Sequence, residues 1–318
     1  MLAGLAAAGS LLATLALTVP RMLDPGTKYG VLLAALAPFG TVTALVALTI
    51  AVPPALSRGR LAAASRTVAA SAAALLALHL IWIAPLFLGP HARAEGTARL
   101  TVMTQNFETG DPPTFERVLQ KARVDVLVVC DAGPAQFEAA VSSANRVGLH
   151  HQIVDGGTAV FSRYPVESTR ITDGGSSRTV RVSGTPIGNL TLYTLHPAPA
   201  YDTQKWASDF RKIQATISDA PARASIVVGD LNATLDNTPL RRITSIGYRD
   251  AVTQVRAGWR ATWPINGSRR LLGVPVPAVL PIDHVMTSHD LSVTQLRFIE
   301  LPGADHSGIV TEIGRGVG

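Results

Sequence analysis

The sequence predicts an α/β domain of two packed sheets with helices outside, preceded by three membrane-spanning helices. Three observations carry this. Long apolar stretches are concentrated before residue 90, short apolar runs alternate with amphipathic stretches after residue 98, and those runs repeatedly stop at Asp, Asn or His. The 318 residues are 47% hydrophobic and 16% charged, with a mean hydropathy of +0.27. That is too apolar for one ordinary soluble domain.

Leu2–Val19, Tyr29–Val52 and Thr67–Leu88 are each close to the ~20 residues a helix needs to cross a bilayer. Pro38 and Pro85 are tolerable in such helices, and Trp82 suits the interfacial level. No Lys or Arg precedes the first apolar core, so a retained helix is expected rather than a cleaved leader. The first loop carries Arg21 and Lys28 with Asp24 between them; the second carries Arg58 and Arg60, with Arg66 at the start of the next helix. The more basic second loop belongs in the cytoplasm, and three spans then put the C-terminal region outside. The expected organisation is a multi-pass membrane domain over residues 1–90, a linker over 91–98 and a second domain over 99–318.

A pI near 9.9 invites a nucleic-acid reading. Residues 1–98, however, hold 6 of the 28 Lys and Arg and only 2 of the 22 Asp and Glu, leaving the second domain at 22 against 20. A nucleic-acid binder carries its basic footprint on the binding domain itself, so nucleic acid is not the expected partner. Cys130 is the single cysteine and forms no internal disulfide. Inside an apolar strand it behaves as a small hydrophobe.

The elements of the second domain follow in order. Arg99–Phe107 alternates as a strand with Asn106 at its end. Pro113–Ala122 places Phe115, Val118 and Leu119 on one helical face. Asp125–Asp131 is a continuous apolar strand, and Pro134–Asn145 a helix. His151–Val154, Thr158–Ser162, Val166–Thr172, Arg178–Ser183 and Asn189–His196 are short strands between Gly, Pro and Asp turns. Thr203–Ser218 is a helix, Ser225–Asp230 a buried strand, and Ile282–Thr287, Leu291–Ile299 and Ser307–Ile313 close the domain. Many short strands with few helices imply two sheets packed together.

Asn106, Asp131, His196, Asp230 with Asn232, and Asp283-His284 all stand at strand ends, and Asp305-His306 precedes the last strand. Each alone has a structural explanation as a turn former, helix start or satisfied histidine. Six together are hard to attribute to turns. They fall within Gln105-Asn106, "DVLVVCD", "AVFSRYP" (Ala159–Pro165), "TLHPAP" (Thr194–Pro199), "GDLNAT", "ATWP" (Ala261–Pro264), "IDHV" (Ile282–Val285) and "ADHSGIV" (Ala304–Val310). In that order, over residues 99–313, the chain resembles the endonuclease/exonuclease/phosphatase superfamily, the metal-dependent phosphoesterases related to DNase I and the inositol-polyphosphate phosphatases. The resemblance leaves the membrane helices uncovered.

It implies a four-layer α/β sandwich of two mixed sheets with the site at one edge of both. It also implies Mg²⁺, with Mn²⁺ as a substitute, held by Asp131, Asn106 and Asp305. Asp230 would orient and deprotonate water, Asn232 and His196 would donate to the phosphate, and His306, held by Asp283, would face the phosphoryl group. His284 is expected to serve the strand's own hydrogen bonding; Glu108 and Arg163 are weaker candidates, and His79, His150 and His151 structural. One departure stands out: the superfamily usually places Glu where this chain has Asp131, one methylene shorter although still a hard oxygen ligand.

Three readings of function follow: a membrane-anchored phosphoesterase acting on lipid-linked or other extracytoplasmic phosphates, a surface nuclease, and a non-catalytic protein retaining the fold. Three helices before such a domain also look like the teicoplanin-resistance membrane proteins of the superfamily, which implies a lipid-carrier pyrophosphate among the substrates. The stretch Arg269–Pro281 carries no charge after Arg270 and two prolines, Pro275 and Pro277, that stop a helix. It reads either as buried packing or as an apolar lip beside the site, with Arg269 and Arg270 near headgroup phosphates.

Overall fold

The computed structural model describes residues 2–57, 62–88, 93–155, 157–171, 176–218 and 223–316, so Arg58 and Arg60 lie outside the described residues. The chain forms two units, one of residues 1–89 with Leu235–Thr238 and one of residues 90–234 with 239–318.

The first unit is helical: α1 (Leu2–Leu23), α2 (Lys28–Ala35), α3 (Gly40–Ala55) and α4 (Ala62–Ile83). Among the described residues, three segments are long and apolar enough to cross a membrane: Leu2–Leu23, Ala37–Ala55 and Ala62–Leu86. The expected single helix over Tyr29–Val52 is broken. A 3₁₀ turn at Ala37–Phe39 carries Pro38 as its second residue and divides the stretch, because proline lacks the N–H that a continuing helix needs. Small residues let the helices approach closely, with Ala44, Ala47, Ala51 and Ala72 buried. A Cβ on Gly40 would strike the His79 ring. His79 Nε2 meets Thr18 Oγ1 at 2.9 Å, consistent with a structural role. One turn beyond Thr18 on the same helix, Arg21 bonds Asp236 at 2.6 Å and lies 3.8 Å over the Trp82 ring.

The second unit contains β1 (Leu100–Asn106), α5 (Pro112–Ala122), β2 (Val126–Cys130), α6 (Pro134–Arg146), β3 (His151–Asp155), β4 (Thr158–Ser162), β5 (Val166–Ile171), β6 (Arg178–Thr185) and β7 (Gly188–Leu195). It continues with α7 (Thr203–Ser218), β8 (Ser225–Asp230), α8 (Thr238–Ser245, its first residue in the helical unit), β9 (Tyr248–Asp250), α9 (Ala251–Val255), β10 (Arg270–Leu271), β11 (Val274–Pro275), β12 (Asp283–Ser288), β13 (Leu291–Ile299) and β14 (Gly308–Arg315).

Two six-stranded sheets result, in the orders β13-β14-β1-β2-β4-β3 and β5-β6-β7-β8-β12-β9. Both are mixed, because β1 with β2 and β7 with β8 run parallel among otherwise antiparallel pairs. Successive strand residues face opposite sides, and the burial follows that rule. Leu100, Val102, Val126, Val128, Cys130, Leu192, Ile226, Val228, Val285 and Ile309 join one core drawn from both sheets. Met103, Leu127, Val129 and Phe161 face the other way, into a second core with Phe115 and Leu119 of α5 and Ala140 and Ala144 of α6. On α7, Trp206, Phe210, Ile213 and Ile217 are buried at helical spacing.

This alternation also positions the polar strand ends. Asn106 continues the face of Leu100 and Val102, Asp230 that of Ile226 and Val228, and Asp283 that of Val285. His196, one residue past β7, continues that of Leu190 and Leu192. All four side chains therefore belong on the inward faces at the strand ends that carry them.

Candidate active site

Asp230 ends β8 and Asp283 begins β12, and the antiparallel register sets them directly opposite each other. On the other side of β8, Gly229 lets the strand lie close against β7 just before Asp230. Its φ is +141°, and an added Cβ would lie 2.1 Å from the Leu195 carbonyl oxygen of β7, so the backbone before Asp230 admits only glycine.

Asp230, Asp283 and His306 are buried and bring ligand atoms within 4.8 Å of one another. His306 Nδ1 donates to Asp283 Oδ2 at 2.9 Å, and its Nε2 points towards Asp230 Oδ2 at 3.9 Å. His196 Nε2 approaches the same oxygen, also at 3.9 Å. Asn106 Nδ2 donates to Asp230 Oδ2 at 3.0 Å, while its Oδ1 accepts from the Glu108 N–H at 3.2 Å. Those two bonds fix the amide's orientation and leave one lone pair of Oδ1 over.

Asn232 adopts φ +47° and receives a bond from the Trp206 indole on its carbonyl at 3.0 Å. Its backbone N–H donates to Asp230 Oδ1 at 2.9 Å and its amide to the Pro197 carbonyl at 3.1 Å. One amide hydrogen remains for a ligand, since a carboxamide carries two. Beneath the cluster, Gln105 Nε2 donates to the carbonyls of Asn106 and His306, tying β1 to the loop before β14.

The electrostatics favour a charged imidazole. Burial works against protonation of His306, but the Asp283 and Asp230 charges outweigh it and push its pKa up to about 10. Burial raises the Asp283 carboxyl, with the neighbouring His306 acting in the opposite direction. Because His306 is raised above its ordinary value near 6.5, its contribution to stability is complete below that value and is lost as pH rises through about 10. In chelator, the melting-temperature advantage of the wild type over His306→Gln should therefore shrink between about pH 7 and pH 10. An advantage constant across that window would show that the imidazole is neutral.

The cluster is also suited to a divalent cation. Buried carboxylate oxygens Asp283 Oδ1 and Asp305 Oδ1 have no hydrogen-bond partner, and unpaired anionic oxygens suit a hard cation. Asp131 stands apart from this group. It lies one residue beyond β2, exposed, with φ +54° and its N–H bonded to the Gly157 carbonyl.

Other candidates resolve simply. His284 Nδ1 meets Asp250 at 2.7 Å and Nε2 meets the Ala233 and Pro281 carbonyls, a structural role. Arg163 pairs with Asp125 at 3.3 Å. Glu108, His150 and His151 are exposed. Thr262 supports the site without being marked by its sequence. Its Oγ1 accepts from the Ile282 and Asp283 N–H groups at 3.1 and 3.2 Å, setting the start of β12. It falls within "ATWP", but a threonine hydroxyl that supports backbone leaves no distinctive pattern in sequence.

The model of the Endonuclease/Exonuclease/phosphatase family matches residues 103–306. The chain belongs to this family. Its members are generally hydrolases of phosphodiester or phosphate bonds and typically use divalent metals. No curated protein sequence matches this family member. Among solved structures, an endonuclease/exonuclease/phosphatase from Beutenbergia cavernae is similar at 19% identity and TM-score 0.54, over 69% of this chain and 72% of that one. TDP2 from D. rerio, complexed with a single-strand DNA product, gives 17%, 0.52, 69% and 100%. An AP endonuclease from Archaeoglobus fulgidus gives 13%, 0.52, 67% and 98%. These likenesses show the shared fold.

Proposed function

We propose that this family member is a membrane-anchored, Mg²⁺-dependent phosphoesterase that hydrolyses a phosphate ester or pyrophosphate, with lipid-linked phosphates among its substrates. The observation that supports this best is the buried Asp230–Asp283–His306 cluster, with orphaned carboxylate oxygens on Asp283 and on Asp305, the residue before His306. Asp131, Asn106 through its remaining lone pair, and Asp305 would hold the cation, Mn²⁺ serving in place of Mg²⁺. Bound there, the ion supplies neutralisation of phosphate charge.

The chain's own groups do the rest. Asp230, oriented by Asn106 and by the Asn232 N–H, positions a water and takes its proton. Asn232 and His196 donate to phosphate oxygens. The His306 imidazolium, locked in orientation by Asp283, stabilises the charge that develops on the phosphoryl group. A surface nuclease finds less support, since backbone phosphates are bound mainly through Lys and Arg and residues 99–318 carry 22 of these against 20 acidic groups.

Metal titration of hydrolysis tests the ligand set. Asp131→Ala should raise the Mg²⁺ requirement at least tenfold, whereas Asp131→Glu should preserve or lower it, because the longer carboxylate reaches further. An unchanged requirement in the alanine variant would remove Asp131 from the set.

The same proposal puts the catalytic domain outside the cytoplasmic membrane, with Arg58 and Arg60 inside. Reporter fusions after the last residue check this. Alkaline-phosphatase activity without fluorescence is the expected pair, and fluorescence without phosphatase activity would place the domain in the cytoplasm.

A further inference from the structure

The stretch Arg269–Pro281 is not buried packing. Strands β10 and β11 form a separate two-residue-by-two-residue hairpin, and every residue from Arg269 to Pro275 is exposed. Leu271, Leu272 and Val274 are 69, 96 and 66% exposed. Among the described residues of the second unit, the other exposed large hydrophobics are scattered singly, at Val154, Tyr201 and Ile246.

The turn makes this apolar tip harder to dismiss. Leu272 and Gly273 have φ of +50° and +82°, the positive pair of a type I′ turn. Asn or Gly is preferred at the first of these positions, and a leucine there carries a steric penalty. The turn geometry does not call for leucine, and the side chain packs against almost nothing in the protein. A ligand outside the protein accounts for it.

The charge around the tip says which ligand. Arg269 and Arg270 lead into the hairpin, and residues 261–282 hold no Asp or Glu. Arg270 Nη1 donates to the Gly273 carbonyl and so stays at the base of the turn. Apolar residues at a tip and cations at its base match the layering of an anionic bilayer surface, acyl chains beneath phosphate headgroups. The bilayer is also within reach. Residues 87–99 join the last candidate span to β1, and a segment of that length can extend about 40 Å.

We infer that the β10–β11 hairpin is a membrane-inserting tip, with Leu271, Leu272 and Val274 in the acyl boundary and Arg269 and Arg270 on anionic headgroups. The hairpin adjoins the site. The Arg269 guanidinium lies 5.5 Å from the Trp263 ring centre, and that ring is 6.3 Å from the His306 ring. Insertion therefore holds the catalytic edge at the lipid surface and selects phosphates presented by a bilayer. This use of the tip rests on the membrane-anchored reading given above.

The test uses the full chain in vesicles of phosphatidylethanolamine and phosphatidylglycerol. Cys130, the only native cysteine, is fully buried, so an environment-sensitive fluorophore can be attached selectively at Leu272→Cys, at Val274→Cys, or at the exposed control Glu167→Cys. At both hairpin positions the emission should shift to the blue and be quenched by brominated lipids at least threefold more than at residue 167. Quenching equal to the control overturns the inference. So does a blue shift without bromolipid quenching, which would mean that protein, from a partner or a second copy, covers the tip. None of these readouts needs turnover. Loss of activity with quenching retained would count against the catalytic reading alone, and activity without quenching against the tip alone.

Discussion

Asp230→Asn and His306→Ala should each lower hydrolysis by about 10²–10³-fold, the usual cost of removing one preorganised group that acts in the transition state. Asn at 230 keeps the shape but accepts only one of the two bonds that the carboxylate takes on separate oxygens from Asn106 and the Asn232 N–H, and it cannot take a proton. Ala at 306 removes the cation facing the phosphoryl group and leaves Asp283 buried without its imidazole. Both variants should therefore lose some thermal stability, the first through one buried hydrogen bond and the second through the unpaired Asp283. Turnover by steady-state kinetics, with circular dichroism on the same samples, separates the two effects. Near wild-type turnover in either variant would reject the role given to that residue.

Gly229→Ala should damage the fold itself. The new Cβ would lie 2.1 Å from the Leu195 carbonyl oxygen, a backbone atom that cannot swing aside, and φ is +141°. Left-handed strain and overpacking together should cost about 2–5 kcal/mol. For a domain of this size that corresponds to a melting temperature lower by about 5–15 °C. Activity should fall in parallel, because Asp230 is the next residue. A melting temperature within 1 °C or so of the wild type would mean that β7 and β8 are not packed at this point as described.

Much of this architecture is legible in the residues. β4, α7, β8 and β13 have the bounds expected from their apolar runs and flanking turn residues, because each run is long enough for its period to show. α8, β9 and α9 are not legible. β9 has three residues and α9 five, too short for a repeat to appear, and α8 buries only Pro239, Leu240 and Ile243. The break at Pro38 is hidden by uniform apolarity on both sides of it. The site divides along the same line. That Asn106, Asp230 and Asp283 lie on inward faces follows from counting along their strands, whereas the pairing of Asp230 with Asp283 depends on a register between segments some fifty residues apart. The Asp283–His306 bond is likewise a product of the closed fold. The hairpin shows a further limit: apolarity in Leu271, Leu272 and Val274 is equally consistent with a core and with a lip, and only exposure separates the two.

The measurement that bears most directly on the metal-dependent phosphoesterase reading is phosphate release by the full chain in nanodiscs. The panel is a polyprenyl pyrophosphate, a phosphoinositide, a generic phosphodiester and plasmid DNA, each assayed with Mg²⁺, with chelator, and after Mg²⁺ is restored. The expected result is hydrolysis of at least one lipid-linked phosphate that disappears with chelator, returns with Mg²⁺ and is lost in Asp230→Asn. Hydrolysis of none of the four, or hydrolysis indifferent to chelator and to Asp230, would contradict it.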